Sequence, residues 1–213
     1  MHDAPLRFFG FHIGTRMTAV RLPDGALWVH SPTPTDPELL DTLRSLGPIR
    51  HIVAPNAWHH LHVGPLANAC ERAEVHAPSK LRYKRKDLHI HTDLTGTPPA
   101  SWGGELTPVP VQGTWLHETA FVHHPSRLLV TSDLLQNVTQ CAHLPSRLWF
   151  RLGGVYGEPG IERPLRLLFR DCAKAQAGID ALLQLDFDGV VLAHGDVITE
   201  GGHDAFASSY SWL

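Results

Sequence analysis

Several apolar runs in this chain stop at a histidine or an aspartate, and that recurrence constrains the fold more than any other feature. Residues 49–54, Ile-Arg-His-Ile-Val-Ala, lead through Pro55-Asn56 into His59-His60-Leu61-His62. Residues 127–131 lead to Asp133, and residues 187–193 lead to His194-Gly195-Asp196. His117-Glu118 stands just ahead of another run, residues 119–123. Short apolar runs rich in β-branched residues read as strands. In layered α/β proteins, ligands gather at the carboxyl ends of strands. Imidazole and carboxylate together suit zinc, iron or manganese. The pattern points to a metal site assembled from strand ends.

Between these landmarks the chain alternates strand and helix patterns. Residues 17–22 and 26–31 flank Pro23-Asp24-Gly25 and read as a β-hairpin. Thr35-Asp36-Pro37-Glu38 has the form of a capping box opening a helix, with Leu39, Leu43 and Leu46 on one face and Gly47-Pro48 as its stop. Residues 64–72 read as a helix, 74–77 as a strand, and 88–91 as a further strand. Pro108 and Pro110 place the strand at 106–111 on a sheet edge. Residues 137–163 form a less regular insertion. After Pro164, Leu165, Leu168, Cys172, Ala175, Ile179 and Leu182 step by threes and fours, as one long buried stripe would. A final strand and a helix from about His203 close the chain. No internal repeat or linker divides the 213 residues, so one domain is expected over 1–213. Hairpins followed by βα units suit two sheets flanked by helices in four layers.

Composition narrows the partners. Net charge is −3, and the one basic run, residues 80–86, is short. Neither nucleic acid nor an anionic membrane is called for, and no stretch approaches the roughly 20 apolar residues of a membrane span. Three well-separated cysteines indicate neither a disulfide framework nor a cysteine zinc knuckle. The amino terminus lacks a basic start and apolar core, so a cytoplasmic protein is expected.

Each candidate ligand has a plainer alternative. Adjacent side chains diverge on an extended backbone, so His59 and His60 share a metal only in a loop or first helical turn; otherwise the cluster caps a helix or faces solvent. His194 ends a strand, Gly195 allows a sharp turn, and Asp196 is placed to orient the imidazole. Asp133 fits a metal carboxylate or the N-cap of residues 134–138 equally well. His117 and Glu118 read as ligands or as plain loop surface. No nucleophile elbow surrounds Ser126 or Ser132, and no phosphate-binding glycine loop is present.

The ordered series of strand and histidine cluster, His117, Asp133, and strand-terminal His194-Gly195 is similar to the metallo-β-lactamase-fold superfamily. More narrowly, residues 27–32, 52–56, 121–133 and 190–196 resemble the DUF4336 family. The resemblance implies an αββα sandwich, an α/β (α+β) fold, with one or two metal ions at the sheet edge. The superfamily's usual His-x-His-x-Asp-His motif is not intact. Asn56 and Trp58 stand near its first two histidines, and no aspartate precedes a histidine here. One of His59, His60 or His62 must substitute. The remaining matches are His117, Asp133 as the bridging carboxylate, and His194. His30-Ser31-Pro32 replaces the usual Asp-x-Gly after the opening hairpin.

The resulting expectation is a metal-dependent hydrolase acting on a small-molecule ester, lactone, thioester or phosphoester. His59, His60, His117, Asp133 and His194 would hold zinc, as one or two ions, with iron as the other metal these ligands suit. Asp133, Glu118 and Asp196 would orient ligands or move protons, and Trp149, Phe150 and Tyr156 of the insertion would cover the pocket or form an oligomer surface, a homodimer included. Loss of the His-x-His pair leaves a second reading open: a catalytically degenerate member that binds a ligand or partner and needs no metal.

Overall fold

A computed structural model describes residues 1–213 and shows two β-sheets packed face to face, with helices outside each. The first strands are β1 (His2–Ala4), β2 (Arg7–Phe8), β3 (Phe11–His12), β4 (Thr15–Arg21) and β5 (Leu27–His30). Strands β2 and β3 form a small separate ribbon. Strands β4 and β5 form the expected hairpin, with Arg21 opposite Leu27. Asp24 accepts the Ala26 amide at 2.9 Å, and Gly25 takes φ +83°, a conformation costly for other residues.

Next come α1 (Pro37–Leu46), β6 (Ile49–Val53), α2 (Val63–Ala69), β7 (Glu74–Ala77), α3 (Leu81–Lys84) and β8 (Thr92–Asp93). The first sheet runs β1-β4-β5-β6-β7-β8, antiparallel at the β1 edge and parallel from β5 onward. The N-cap of α1 is Asp36 and not Thr35. The Asp36 carboxylate accepts the Leu39 amide at 2.8 Å, whereas the Thr35 hydroxyl turns back to the Thr33 carbonyl. Leu46 points to solvent, so the buried stripe ends at Leu43. The strand expected at 88–91 forms instead just beyond it, as the two-residue β8.

The second sheet runs β12-β11-β10-β9, from β9 (Leu106–Pro110), β10 (Thr119–His123), β11 (Leu128–Val130) and β12 (Gly189–Val191). β9 lies on its edge, where Pro108 and Pro110 leave no sheet hydrogen bond unmade. The 137–163 insertion is more ordered than its sequence suggests, since it contains α4 (Leu144–Gly153). The long helix expected after Pro164 is broken into α5 (Arg163–Arg166) and α6 (Cys172–Leu183). Asp171 ends the break by accepting the Lys174 amide as N-cap of α6, and Cys172 is exposed. Helix α7 (Gly202–Ser209) closes the chain. No helix is long and apolar enough to cross a membrane.

Alternating side chains separate three apolar layers. Leu27, Val29, Ile52 and Val75 pack outward against Leu43, Val63, Leu66 and Leu81 of α1, α2 and α3. Ala120, Val122, Leu129 and Val190 pack outward against Ala175, Ile179 and Leu182 of α6 and Phe206 of α7. Between the sheets lie Trp28, Val53, Trp102, Phe121, Val130 and Val191. The rings of Trp28, Trp102 and Phe121 meet edge to face with centroids 4.9–5.9 Å apart. Each such ring contributes on the order of 4–6 kcal/mol when fully buried. This aromatic wall anchors the strands whose ends carry the polar cluster described next.

Candidate metal centre

Three of the expected ligands converge where β6, β11 and β12 end. The His59 and His194 Nε2 atoms lie 3.2 Å apart. Asp133 spans them, with Oδ2 3.5 Å from His59 Nε2 and Oδ1 3.4 Å from His194 Nε2. Four-coordinate zinc, with ligand bonds of about 2.0–2.2 Å, places its donor atoms about 3.3–3.6 Å apart. The near-equilateral triangle matches that spacing. The three side chains are only 5–7% exposed.

Each donor is oriented from behind. His194 Nδ1 lies 2.8 Å from the Gly14 carbonyl, which can only accept, so Nδ1 carries the hydrogen and Nε2 offers a lone pair to the cluster. The Arg16 guanidinium holds that corner by donating to the Leu192 and Gly195 carbonyls while paired with Asp3. His59 Nδ1 is 2.7 Å from the Ser31 hydroxyl. Ser31 sits at φ +51°, an unfavourable backbone conformation for a residue with a Cβ. Strain of this kind is common where geometry serves a site.

Asn56 organises the remaining side. It is fully buried and uses all four of its hydrogen-bonding positions. Its carbonyl accepts the Trp58 and His59 amides, both at 2.8 Å, turning the chain out of β6 and setting the position of His59. Its amide donates to Glu118 at 2.9 Å and to Asp133 Oδ2 at 2.6 Å. Glu118 accepts three further hydrogen bonds, from the Thr131 hydroxyl and the Ser132 and Asp133 amides. It is a buried brace for the β11 end and has no oxygen facing the triangle uncommitted.

The charges are strongly coupled. Burial alone would raise the Asp133 carboxyl, but His59 and His194 outweigh it and hold the group well below the usual carboxylate range. Burial opposes a charged His194, yet the hydrogen bond and charge of Asp133 raise its affinity for a proton. Burial, and then the Asp133 charge, push the Glu118 carboxyl up. Two facing imidazole nitrogens beside a buried anion need a positive charge between them. A proton satisfies that need in part, and a divalent cation fits all three donors.

The other expected ligands lie elsewhere. The Arg85 guanidinium donates to His60 Nδ1 at 2.9 Å, so the second ring nitrogen must carry the hydrogen. Burial, with Lys84 and Arg85 nearby, depresses the His60 pKa to about 4. His62 precedes α2 without capping it through its side chain. His117 has φ +51°, and its Nε2 lies 3.0 Å from Lys80 Nζ, outside the triangle. Asp196 does not orient His194. Its carboxylate accepts from the Thr139 amide and hydroxyl, and the Gly14 carbonyl serves His194 instead.

The insertion is stitched to the strand that carries His194. The Asn137 amide donates to the His194 carbonyl and the Asp196 amide to the Asn137 carbonyl. Gly195 has φ +99°, and a Cβ there would collide with the Asn137 carbonyl oxygen. Phe150 lines a cleft of about 280 Å³ together with Gly14, Arg16, Val138, Gly195 and Asp196. Trp149 instead stacks on Phe11 at 4.8 Å and donates to the buried Glu162 at 3.0 Å, while Tyr156 lies beneath the Arg151 guanidinium. Burial raises the Glu162 carboxyl, which also feels the charges of His194 and Asp133.

The sequence alone does not mark Gly14, Arg16 or Glu162 as parts of this site, and it marks Ser31 and Asn56 only as departures from the superfamily's motifs. An Asn at a strand end, two and three residues before the amides it accepts, is a recognisable turn signal. Nothing local marks Gly14 or Arg16, and the contact of Ser31 with His59 likewise forms only across the fold.

Comparison with solved structures decides the architecture. The metallo-β-lactamase from Pontibacter korlensis superposes with a TM-score of 0.65 at 13% identity, over 97% of this chain and 91% of that one. The fold is that of the metallo-β-lactamases. FIM-1 from Pseudomonas aeruginosa, in its mono-zinc form, gives 0.64 at 13% identity over 97% and 88% of the two chains. TTHA1623, in a di-iron-bound form, gives 0.59 at 15% identity over 99% and 100%. A family profile described as a domain of unknown function, DUF4336, matches residues 5–83. No curated protein matches the sequence.

Proposed function

We propose that this metallo-β-lactamase-fold chain is a metal-dependent hydrolase of a small molecule and that His59, Asp133 and His194 hold a single ion. The donor triangle of 3.2–3.5 Å carries the reading. Two nitrogens and a carboxylate suit zinc, with iron the other metal of this ligand type; the mono-zinc and di-iron forms of the two structural neighbours support the same pair. Such an ion supplies Lewis acidity toward a carbonyl or phosphoryl oxygen and makes water nucleophilic near neutral pH. One ion is favoured over two because the cluster brings together three donors and the Asn56 amide already engages both Asp133 and Glu118.

The protein's own groups then have distinct tasks. Gly14 and Ser31 aim the imidazoles, and Asn56 holds the carboxylate. Glu118 and Asp196 are committed to other hydrogen bonds, so neither is assigned a proton-transfer role. Glu162 gives one oxygen to Trp149 and is coupled in charge to His194 and Asp133, and on that ground we propose it as the carboxyl for proton transfer. Esters, lactones, thioesters and phosphoesters all present the polarisable oxygen this site would act on. The near-closure of the donors favours a second reading, in which the site binds without turnover.

Metal analysis of the purified protein, joined to hydrolysis assays on those four substrate classes, tests this. The expected result is about one ion per chain and chelator-sensitive hydrolysis, both lost in His194→Ala with its circular dichroism intact. No ion after zinc and iron supplementation would end the metal reading. A bound ion with no turnover would leave the binding module.

A further inference from the structure

A second histidine pair lies between the sheets, away from the first. His51 on β6 and Glu74 and His76 on β7 share the inner face of the first sheet, with His51 directly opposite Glu74. His51 Nδ1 and His76 Nε2 face each other at 3.1 Å. Glu74 Oε2 lies 3.9 Å from the former and 3.8 Å from the latter. Trp102 packs edge-on against both rings and meets Trp28 and Phe121 in the aromatic wall, and this cluster shares no residue with the first.

The arrangement is incomplete as a hydrogen-bonded pair. One proton serves the two facing nitrogens, and no Lys or Arg pairs with Glu74; His76 Nδ1, the ring nitrogen turned away from the cluster, is buried without a partner and carries the hydrogen when Nε2 offers its lone pair. Burial, before any charge effect, lowers both pKa values, that of His76 to about 3. Both rings are therefore neutral at pH 7, the state that binds a metal. His91 is close, but its Nδ1 accepts the Val75 amide, so its other nitrogen carries a hydrogen and cannot ligate. Glu74 is half-exposed, and a small rotation would shorten both of its distances toward those of a four-coordinate ion.

We propose that His51, His76 and Glu74 form a second, independent site for a divalent first-row metal ion. The two-nitrogen, one-carboxylate set selects zinc or cobalt over calcium or magnesium. Such an ion fastens β6 to β7 where Glu74 opens the cluster to solvent, and it takes no part in the chemistry of the first site.

The experiment uses full-length His59→Ala/His194→Ala protein, in which the first cluster is disabled. Cobalt(II) titration should still give one equivalent with visible d–d absorption, and zinc should raise the melting temperature. Adding Glu74→Gln, a half-exposed change compatible with folding, should weaken cobalt binding at least about tenfold, and His51→Gln should abolish the absorption. Failure of the double variant to bind either ion, or unchanged cobalt affinity in both added variants, would overturn the proposal.

Discussion

The two histidine clusters use the same donor types but hold their carboxylates differently. Asp133 is buried, fixed by the Asn56 amide, and spans its two imidazoles at nearly equal distance. Glu74 is half-exposed, has no directional partner, and stands 3.8–3.9 Å from its pair. A fixed carboxylate defines a geometry before any ion arrives, as a reacting centre requires. A mobile one lets an ion draw the ligands together, which suits a structural clamp. The contrast resides in Asn56, which has no counterpart beside Glu74.

The largest expected effect removes a ligand from the preformed cluster. His194→Ala should weaken metal binding there by more than the roughly 10–100-fold that loss of a supporting residue costs, read by competition against a chromogenic chelator. Asn56→Ala converts the first cluster toward the second. It should lower metal affinity about 10–100-fold and destabilise the fold by about 2–4 kcal/mol, because two buried carboxylates lose a donor. Urea unfolding checks the second figure, and unchanged affinity would remove Asn56 from its organising role.

Acid should act on both regions. His30, His60 and His76 have pKa values lowered to about 3, 4 and 3, burial being the leading cause in each. Their unfolded values lie near 6.5, so the unfolded chain binds protons that the folded chain refuses. Stability is therefore full above about pH 6.5 and falls as pH drops toward 4. Urea midpoints measured across that range should decline with the uptake of roughly three protons, and a flat profile would contradict neutral burial. The smallest effect belongs to Ser31. Ser31→Gly relaxes the φ +51° backbone but frees His59, so stability should change by less than about 1 kcal/mol while metal affinity falls about tenfold.

Much of the architecture is legible in the sequence because it rests on local rules. The Asp24-Gly25 turn fixes the β4–β5 hairpin, hairpins followed by βα units point to two sheets flanked by helices, and Pro108 with Pro110 puts β9 on an edge. Misreadings occur where neighbouring signals compete. Asp36 displaces Thr35 as the cap of α1, and Asp171 starts α6 afresh, so the stripe from Leu165 to Leu182 spans two helices. At the site, strand-end placement picks out His59, Asp133 and His194. It also suggests His60, His117 and Asp196, which Arg85, Lys80 and Thr139 engage instead. Those partners come from distant segments or from side chains with no periodic pattern. The second cluster is equally silent, because His51 and His76 sit inside strands and meet only through the parallel register of β6 and β7.

The packing of Gly195 against the Asn137 carbonyl carries a consequence for how the protein can be altered. The segment that walls the cleft is buttoned to the backbone of His194, a ligand in the proposed metal site, with no side chain between them to absorb displacement. A lengthened or repositioned insertion would drag the His194 imidazole with it. Attempts to broaden what enters the cleft by remodelling residues 137–163 should therefore alter ion retention at the same time, whereas changes confined to the opposite flank, beyond Ser31, leave that linkage untouched.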